Sequence, residues 1–199
     1  MNVVAILLAA GSASRFGSDK LLHPLPHSVP IAVQSARHLR AVFEKNVFVV
    51  IRPEARQLSE LFRKEGCEVV LCERAADGMG ASLACGVRAA DAADAAGAAD
   101  AYLVALADMP FIRPSSIAAV RDELLKGASL VAPYFRARRG HPVGIASRFR
   151  DDLLRLKGDE GAKKLFANHP SDIVKVPVGD PAVLRDIDTP SDLAPPLVV

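Results

Sequence analysis

The chain has 199 residues, of which 50% are hydrophobic, a length that suits one domain with a sizeable buried core. Its apolar runs fall short of the ~18 residues of a membrane-spanning helix, and a formal net charge of +2 gives no support for nucleic-acid binding. With no signal-peptide pattern at its start and no Cys-x-x-Cys pair, we expect a cytoplasmic protein without a membrane partner, a nucleic-acid partner or a zinc site.

Apolar strand-like runs alternate with helical patterns along the chain. Strands are predicted at Val3–Leu8, Val47–Ile51, Glu68–Cys72, Ala101–Leu106 and Ser129–Ala132, and helices at Val29–Glu44, Glu54–Lys64, Ser82–Asp94 and Pro114–Leu125. Such alternation is typical of βαβ units around a parallel sheet. After Pro142 a short strand, two helical pieces and a last strand indicate an elaboration or an antiparallel part of the same domain. We therefore expect an α/β fold, a Rossmann-like three-layer α/β/α sandwich with a mostly parallel sheet.

A glycine-punctuated, cationic loop follows the first predicted strand and runs from Leu8 to Lys20. Loops at the carboxyl ends of such strands bind ligands in open α/β sheets. Gly11 and Gly17 allow close approach of the backbone, while Arg15 offers a two-pronged contact and Lys20 a point charge for phosphate oxygens. The spacing matches neither a P-loop nor the dinucleotide fingerprint. The loop is predicted to bind a polyphosphate, and an ordinary turn with two solvated cations is the alternative.

An aspartate stands at the carboxyl end of another predicted strand. Asp108 comes two residues after the strand Ala101–Leu106. A hard cation such as Mg²⁺ takes one or two carboxylates together with substrate phosphates, so Asp108 is a candidate metal ligand. A turn aspartate before Pro110 is the alternative.

A second candidate ligand precedes a predicted helix start near the end of the chain. Thr189 as N-cap, Pro190 at the first position and Asp192 at the third make an arrangement similar to a capping box. This account leaves Asp188 without a structural role, although a helix N-terminus favours an anion there regardless of any metal. Asp186 is the competing candidate.

Three further segments carry glycine beside polar residues, namely Gly78–Leu83, Arg138–Pro142 and Gly158–Lys163. Ser82 is interpreted as a residue at or near a helix N-cap. The alternative is a glycine-flanked turn whose backbone groups read a nucleobase edge, with Met79 assigned to packing. His141 before a proline is typical of a turn residue, and Asp159 is a candidate N-cap for the helix through Phe166.

These segments, in this order, resemble the MobA-like nucleotidyltransferase superfamily and, within it, the molybdenum cofactor cytidylyltransferases. The resemblance lies in Leu8–Lys20, Gly78–Leu83, Asp108–Pro110, Gly140–Pro142, Gly158–Ala162 and Asp186–Leu193. It implies transfer of CMP from CTP to the terminal phosphate of Mo-molybdopterin, which gives molybdopterin cytosine dinucleotide and pyrophosphate. It also implies Mg²⁺, or Mn²⁺ in its place, as cofactor, and a xanthine-dehydrogenase-family molybdoenzyme or its chaperone as partner.

The resemblance assigns roles to residues of a single domain, 1–199. Arg15, Lys20 and Asp108 would be catalytic, and Asp108 and Asp188 would hold the metal. The nucleotide contacts would be Leu8, Ala9, Ala10, Gly11, Ser12, Ser14, Arg15, Lys20, Gly78, Ser82 and Asp108, and the acceptor contacts Gly140, His141 and Asp159. Residues 1–110 would form the nucleotide-binding half and residues 111–199 the acceptor-binding half.

The choice of donor base depends on one methyl group. Ala10 stands where guanylyltransferases of this superfamily tend to have glycine, and its side chain would narrow the pocket for the base. GTP as donor, or a sugar phosphate or small alcohol phosphate as acceptor, is left open. A non-catalytic nucleotide or cofactor carrier is also an alternative, although a carrier has no need of the pair Asp108 and Asp188.

Overall fold

The computed structural model describes residues 1–11, 19–93 and 98–193. The strands are β1 (Val3–Leu8), β2 (Val47–Ile51), β3 (Glu68–Leu71), β4 (Ala101–Leu106), β5 (Leu130–Phe135), β6 (Arg138–Arg139), β7 (Val143–Ala146) and β8 (Ile173–Pro177). The helices are α1 (Ile31–Arg40), α2 (Arg56–Lys64), α3 (Met79–Ala93), α4 (Pro114–Leu125), α5 (Arg150–Leu154) and α6 (Lys163–Asn168). Within these ranges, none of the helices is long and apolar enough to cross a membrane.

The strands form one sheet that is parallel on one side and mixed on the other. Its order is β3-β2-β1-β4-β7-β5-β6, and β8 pairs with β5. The pairs β1–β2, β1–β4, β2–β3 and β5–β8 are parallel. β7 runs antiparallel between β4 and β5, and β6 folds back on β5. The predicted mostly parallel sheet is confirmed, and the short strand after Pro142, β7, is antiparallel as expected. The last predicted strand, β8, instead runs parallel to β5.

Helices cover both faces of this sheet. Successive side chains of a strand point to opposite faces, so Ala5 and Leu7 of β1 lie in the core under α1, α2 and α4, whereas Val4 and Ile6 lie in the core under α3, α5 and α6. Because both faces of the central strands are covered, those strands are continuous apolar runs without alternation. The predicted three-layer sandwich is confirmed.

The structure corrects two predictions about helix starts. Gly78 adopts a φ of +105°, and its carbonyl accepts the N–H of Ser82, so α3 begins at Met79. Ser82 therefore lies inside the first turn, where its hydroxyl donates to the Gly78 carbonyl, and its interpretation as an N-cap is wrong. The N-cap alternative for Asp159 is also wrong, because α6 begins only at Lys163 and no capping bond from Asp159 precedes it among the described residues.

Candidate active site

The carboxyl ends of β1 and β4 bring the first two candidate segments together. These strands are neighbours, with Leu8 opposite Leu106. The Ala107 N–H donates to the Leu8 carbonyl at 3.0 Å, which extends the pairing past the end of the strands. The segment from Ala9 to Gly11 and the carboxylate of Asp108 therefore emerge at the same edge of the sheet, as expected for a ligand site in an open α/β fold.

A buried isoleucine places the last acidic segment beside Asp108. The Ile187 N–H donates to the Asp108 carbonyl at 2.9 Å. The Ile187 side chain is fully buried with Leu25 and Ile31, while its neighbours Asp186 and Asp188 are exposed. Burial of one apolar side chain thus fixes the backbone that carries two carboxylates to the edge of the sheet.

The predicted helix start at Thr189 fixes the backbone of Asp188 through hydrogen bonds to Asp192. The Asp192 carboxylate accepts the N–H groups of Asp188 at 3.2 Å and Thr189 at 2.8 Å, and the Thr189 hydroxyl at 2.7 Å. These bonds, led by the hydroxyl of Thr189, lower the pKa of Asp192. The turn Pro190–Leu193 is a short 3₁₀ helix, so the predicted cap is confirmed and Asp188 is left free of capping duty.

Lys20 lies between two of these carboxylates. Its Nζ is 2.9 Å from Asp108 Oδ2 and 3.4 Å from Asp188 Oδ1. Burial opposes the charge of the ammonium, but the attraction of both carboxylates outweighs it, so the pKa of Lys20 is raised above its ordinary value. Lys20 therefore contacts one carboxylate that is 88 positions away in sequence, Asp108, and another that is 168 positions away, Asp188.

The three aspartates at this edge form a set of oxygen donors. Carboxylate oxygens of Asp108, Asp186 and Asp188 all lie within 4.8 Å of one another. Partial desolvation of its carboxyl group raises the pKa of Asp186, although the residue is exposed overall, and repulsion from Asp188 and Asp108 adds to that shift. Hard divalent cations such as Mg²⁺ and Mn²⁺ take carboxylate oxygens as ligands. The donor set fits such a cation. Asp186 and Asp188 were predicted as alternatives, but both lie in one group with Asp108.

A cleft of about 430 Å³ opens around these charges, and we call it the polar cleft. It is lined by Leu8, Ala9, Ala10, Gly11, Lys20, Leu21, Arg52, Ala75, Ala76, Gly78, Met79, Ser82, Leu106, Asp108, Asp159 and Asp188. The predicted nucleotide contacts from Leu8 to Gly11, Lys20, Gly78, Ser82 and Asp108 are among them. The predicted contacts Ser12, Ser14 and Arg15 lie outside the described residues.

Arg52 belongs to the polar cleft, and the sequence analysis missed it. It directly follows β2, whose carboxyl end lies beside that of β1, and its Nε donates to the Ala10 carbonyl at 2.8 Å. A basic residue placed just after a strand could have pointed to Arg52, because basic residues after β1 identified the loop from Leu8 to Lys20 in the same way. Arg52 therefore fixes the backbone of Ala10, the residue that was predicted to select the base.

Close backbone packing gives the glycine at position 78 a structural reason. A Cβ at Gly78 would lie 2.4 Å from the Gly158 carbonyl carbon and 2.6 Å from Asp159 Oδ1. The segment before α3 and the segment before α6 therefore touch backbone to backbone. Met79, which follows, packs near Gly161 but is also 41% exposed and lines both this cleft and its neighbour.

A second cleft of about 220 Å³ adjoins the first, and we call it the apolar cleft. Its lining is Leu8, Met79, Leu83, Val104, Leu106, Arg139, His141, Val143, Asp159, Ala162, Lys163 and Phe166. Leu8, Met79, Leu106 and Asp159 line both clefts. Two of the predicted acceptor contacts, His141 and Asp159, lie here, and the two clefts share a wall.

The third predicted acceptor contact, Gly140, is packed against the chain rather than exposed in the apolar cleft. A Cβ at Gly140 would lie 2.3 Å from the Val183 carbonyl oxygen, and the neighbouring His141 N–H donates to that oxygen at 2.8 Å. Val183 leads into the segment that carries Asp186 and Asp188. Gly140 thus seats the acidic segment, and no ligand contact is needed to explain a glycine at this position.

His141 is an uncharged residue of the apolar cleft. Burial, together with the positive charge of Arg139, lowers its pKa to about 4. Its Nδ1 is buried and has no hydrogen-bond partner among the residues that the structure describes. The ring therefore offers hydrogen bonding without positive charge at neutral pH.

Comparison with known proteins gives consistent matches over almost the whole chain. A family model described as the MobA-like NTP transferase domain matches residues 5–173. Purine catabolism protein PucB of Bacillus subtilis is 28% identical, and the alignment covers 96% of this chain and 93% of PucB. The crystal structure of an Rv0371c homologue from Mycobacterium sp. strain JC1 is 26% identical with a TM-score of 0.76, over 96% and 92% of the two chains. Rv0371c of Mycobacterium tuberculosis in complex with manganese is 21% identical with a TM-score of 0.78, over 96% of each chain.

Proposed function

The chain belongs to the MobA-like NTP transferase family, a nucleotidyltransferase family, and on that premise we propose that it transfers CMP from CTP to the terminal phosphate of Mo-molybdopterin. The products would be molybdopterin cytosine dinucleotide and pyrophosphate. One observation carries the proposal: Lys20, Asp108 and Asp188, which are far apart in sequence, meet at the edge of a cleft large enough for a nucleotide.

The proposed reaction needs positive charge that offsets the repulsion between two phosphate groups, and it does not need a general base. A phosphate monoester has a second pKa of about 6, so the attacking phosphate is largely a dianion at neutral pH. One of its oxygens would form a bond to the α-phosphorus of CTP while the bond from that phosphorus to the bridging oxygen of the β-phosphate breaks. Pyrophosphate leaves with the electron pair. Two anions must meet in this step, and preorganised charges are the main means of lowering such a barrier.

The residues of the polar cleft have roles that follow from this chemistry. Asp108 and Asp188 would hold Mg²⁺ or Mn²⁺, with Asp186 beside them, and the bound ion would neutralise triphosphate oxygens. Lys20, already beside both carboxylates, would contact the leaving pyrophosphate. The backbone of Ala9 to Gly11 would lie along the triphosphate. Arg15, predicted from the sequence for the same task, lies outside the described residues.

The choice of CTP is supported by the position of Ala10. This residue is 4% exposed, lines the polar cleft and has its carbonyl fixed by Arg52. A methyl group on fixed backbone narrows the space for a base, which favours a pyrimidine over a purine. The choice of acceptor is supported by the motifs from Gly140 to Pro142 and from Gly158 to Ala162. A relative named for purine catabolism agrees with an enzyme that serves purine-oxidising molybdoenzymes.

The proposed activity is tested by an assay with purified protein, Mo-molybdopterin, Mg²⁺ and each of CTP, GTP, ATP and UTP in turn. We expect pyrophosphate release and a dinucleotide product with CTP, at a kcat/KM at least tenfold above that for the other triphosphates. Equal rates with GTP would contradict the choice of donor. Tight nucleotide binding without pyrophosphate release would favour the carrier. Turnover with a sugar phosphate in place of Mo-molybdopterin would contradict the choice of acceptor.

A further inference from the structure

We propose that Arg139 and Lys163 form an anion subsite in the apolar cleft that holds a phosphate monoester, whose apolar or heteroaromatic body lies against Met79 and the rest of the apolar lining. The inference rests on the proposed function, since it assigns the group that would bind the acceptor phosphate. Neither residue was among the predicted acceptor contacts.

The wall of the apolar cleft is made of buried hydrocarbon. Leu83, Val104, Val143 and Phe166 are each less than 5% exposed and belong to the core cluster on the α3 and α6 side of the sheet. These side chains form the floor of the cleft, and Met79, which is 41% exposed, supplies apolar surface that a ligand can cover. Removing such surface from water by contact with an apolar or aromatic group gains free energy. The cleft therefore favours a ligand with an apolar body over a bare ion or an open-chain polyol.

Two cations lie on this wall, and neither has an ion-pair partner among the described residues. The Arg139 guanidinium carbon lies 4.9 Å from the centre of the Phe166 ring. Lys163, the first residue of α6, precedes Phe166 by one helical turn and is exposed. Within the described ranges, neither cation makes a salt bridge. Their charge is available to a ligand, unlike that of Lys20, which two carboxylates already neutralise.

The remaining titratable groups of the cleft leave its lining positive. His141 is neutral at pH 7, because burial and Arg139 lower its pKa to about 4. Asp159 is the acidic residue of the described lining. Two cations against one carboxylate give a net positive charge at the wall of a partly desolvated cleft, where an anion gains more than it would in bulk water.

The chemical class follows from the two cations and the wall together. A guanidinium fork matches two phosphate oxygens at once, and an ammonium adds a point charge. The shared wall sets the apolar cleft next to the polar cleft and is formed by Leu8, Met79, Leu106 and Asp159. A phosphate monoester held there would lie beside the cleft in which the donor nucleotide is proposed to bind.

The subsite is tested by equilibrium binding of a matched pair of probes, in the absence of nucleotide and metal. The probes are 4-methylumbelliferyl phosphate and 4-methylumbelliferone, which share a planar body and differ in the phosphate. We expect the protein to bind the phosphate at least tenfold more tightly than the phenol. Arg139→Ala and Lys163→Ala should each lose at least tenfold in affinity for the phosphate probe and little for the phenol.

Arg138→Ala is the matched control. Arg138 precedes Arg139 on β6, is equally exposed and does not line the cleft, so its removal should change affinity less than twofold. Arg139→Lys and Lys163→Arg should recover part of the lost affinity because the charge is kept. Equal losses in Arg138→Ala and Arg139→Ala, equal binding of the two probes, or no binding of the phosphate probe by the parent protein would each overturn the proposal.

A kinetic measurement separates this proposal from the proposed function. In the CMP-transfer assay, Arg139→Ala and Lys163→Ala should raise KM for the acceptor at least tenfold and leave KM for CTP unchanged. If the parent transfers no CMP to Mo-molybdopterin, the proposed function fails, but the probe pair still decides whether the subsite exists. If transfer occurs and KM for the acceptor does not respond to either change, the subsite fails while the proposed function stands.

Discussion

The polar and apolar clefts share a wall but differ in whether their cations are paired with carboxylates. In the polar cleft, Lys20 is held by Asp108 and Asp188, so cation and carboxylates neutralise one another. In the apolar cleft, Arg139 and Lys163 stand on hydrocarbon without ion-pair partners among the described residues. A ligand of the polar cleft must therefore rearrange an existing ion pair, whereas an anion that enters the apolar cleft meets charge that is already free.

Under the proposed function, this difference would let one sheet edge bind two anionic substrates. The triphosphate would enter the polar cleft together with a divalent cation, which replaces the ammonium of Lys20 between the carboxylates. Lys20 would then become available to the phosphates. The acceptor would bring its phosphate to the cations of the apolar cleft and would need no metal of its own. The comparison predicts that changes in one cleft alter metal dependence and changes in the other alter acceptor affinity.

The largest expected effect follows a change of the polar cleft at Asp108. Asp108→Asn keeps the size of the side chain but removes the negative charge that would hold the cation. We expect a loss of about 3–4 kcal/mol of transition-state stabilisation, or about a hundred- to thousandfold in kcat, with little change of KM for the acceptor. Asp77→Asn removes an exposed carboxylate that pairs with Arg74 and should keep full activity. Equal activity of both variants would remove the metal site from the account.

A change at Gly140 tests the backbone packing between the segment of His141, which lines the apolar cleft, and the segment of Val183, which leads to Asp186 and Asp188. Gly140→Ala forces a Cβ against the Val183 carbonyl, 2.3 Å away, so the backbone must shift. We expect the free energy of unfolding to fall by about 3 kcal/mol, measured by urea denaturation. Gly179→Ala is the control, since a Cβ there meets nothing within 4 Å. A stable Gly140→Ala protein that has lost only acceptor affinity would instead make Gly140 a ligand contact.

The apolar cleft should make the protein sensitive to acid through His141. The pKa of His141 is about 4 in the folded chain and 6.5 in its ordinary state, so between these values the unfolded chain binds more protons and stability falls as pH is lowered. From pH 7 to pH 5 this histidine should cost about 2 kcal/mol of unfolding free energy. His141→Gln should lose less stability than the parent over that interval, while the exposed His27→Gln should follow the parent. Parallel curves for the parent and His141→Gln would contradict the buried, neutral state.

The smallest expected effect is a change in Mn²⁺ affinity. Removing a cation should strengthen Mn²⁺ binding in the polar cleft and leave it unchanged in the apolar cleft. Lys20→Met removes the ammonium that competes with a metal for Asp108 and Asp188, so Mn²⁺ should bind about tenfold more tightly, or about 1.4 kcal/mol, although CMP transfer is lost. Arg139→Ala in the apolar cleft should leave Mn²⁺ affinity unchanged. Weaker Mn²⁺ binding by Lys20→Met would mean that Lys20 supports the carboxylates rather than competing for them.

The central strands and two of the metal candidates could be predicted from sequence for simple reasons. β1, β2 and β4 have the predicted bounds because strands covered on both faces are uninterrupted apolar runs. Asp188 stood out because capping explained its neighbours and left it unexplained, and the cap exists. The strands and the cap have local signals that neighbouring residues decide. The metal roles of Asp108 and Asp188 rest in addition on the family resemblance and stay predictions.

Other parts of the site depend on distances that no local pattern contains. Asp186 joins the carboxylates because the Ile187 backbone bonds to Asp108 across the fold. Gly140 was predicted as a ligand contact from the resemblance of its Gly-His-Pro segment, yet the Val183 carbonyl requires a glycine there. Asp159 lines both clefts because the backbone before α6 touches Gly78. Each of these facts arises from packing between distant segments.

The central claim is that Asp108 and Asp188, from distant parts of the chain, share one divalent cation. Titration of Mn²⁺ followed by electron paramagnetic resonance, on the parent, Asp108→Asn, Asp188→Asn and the double variant, tests it most directly. We predict at least tenfold weaker binding in each single variant, and a double variant whose loss is smaller than the product of the two, because both changes empty the same site. Unchanged Mn²⁺ affinity in Asp188→Asn, or fully independent losses, would contradict the claim.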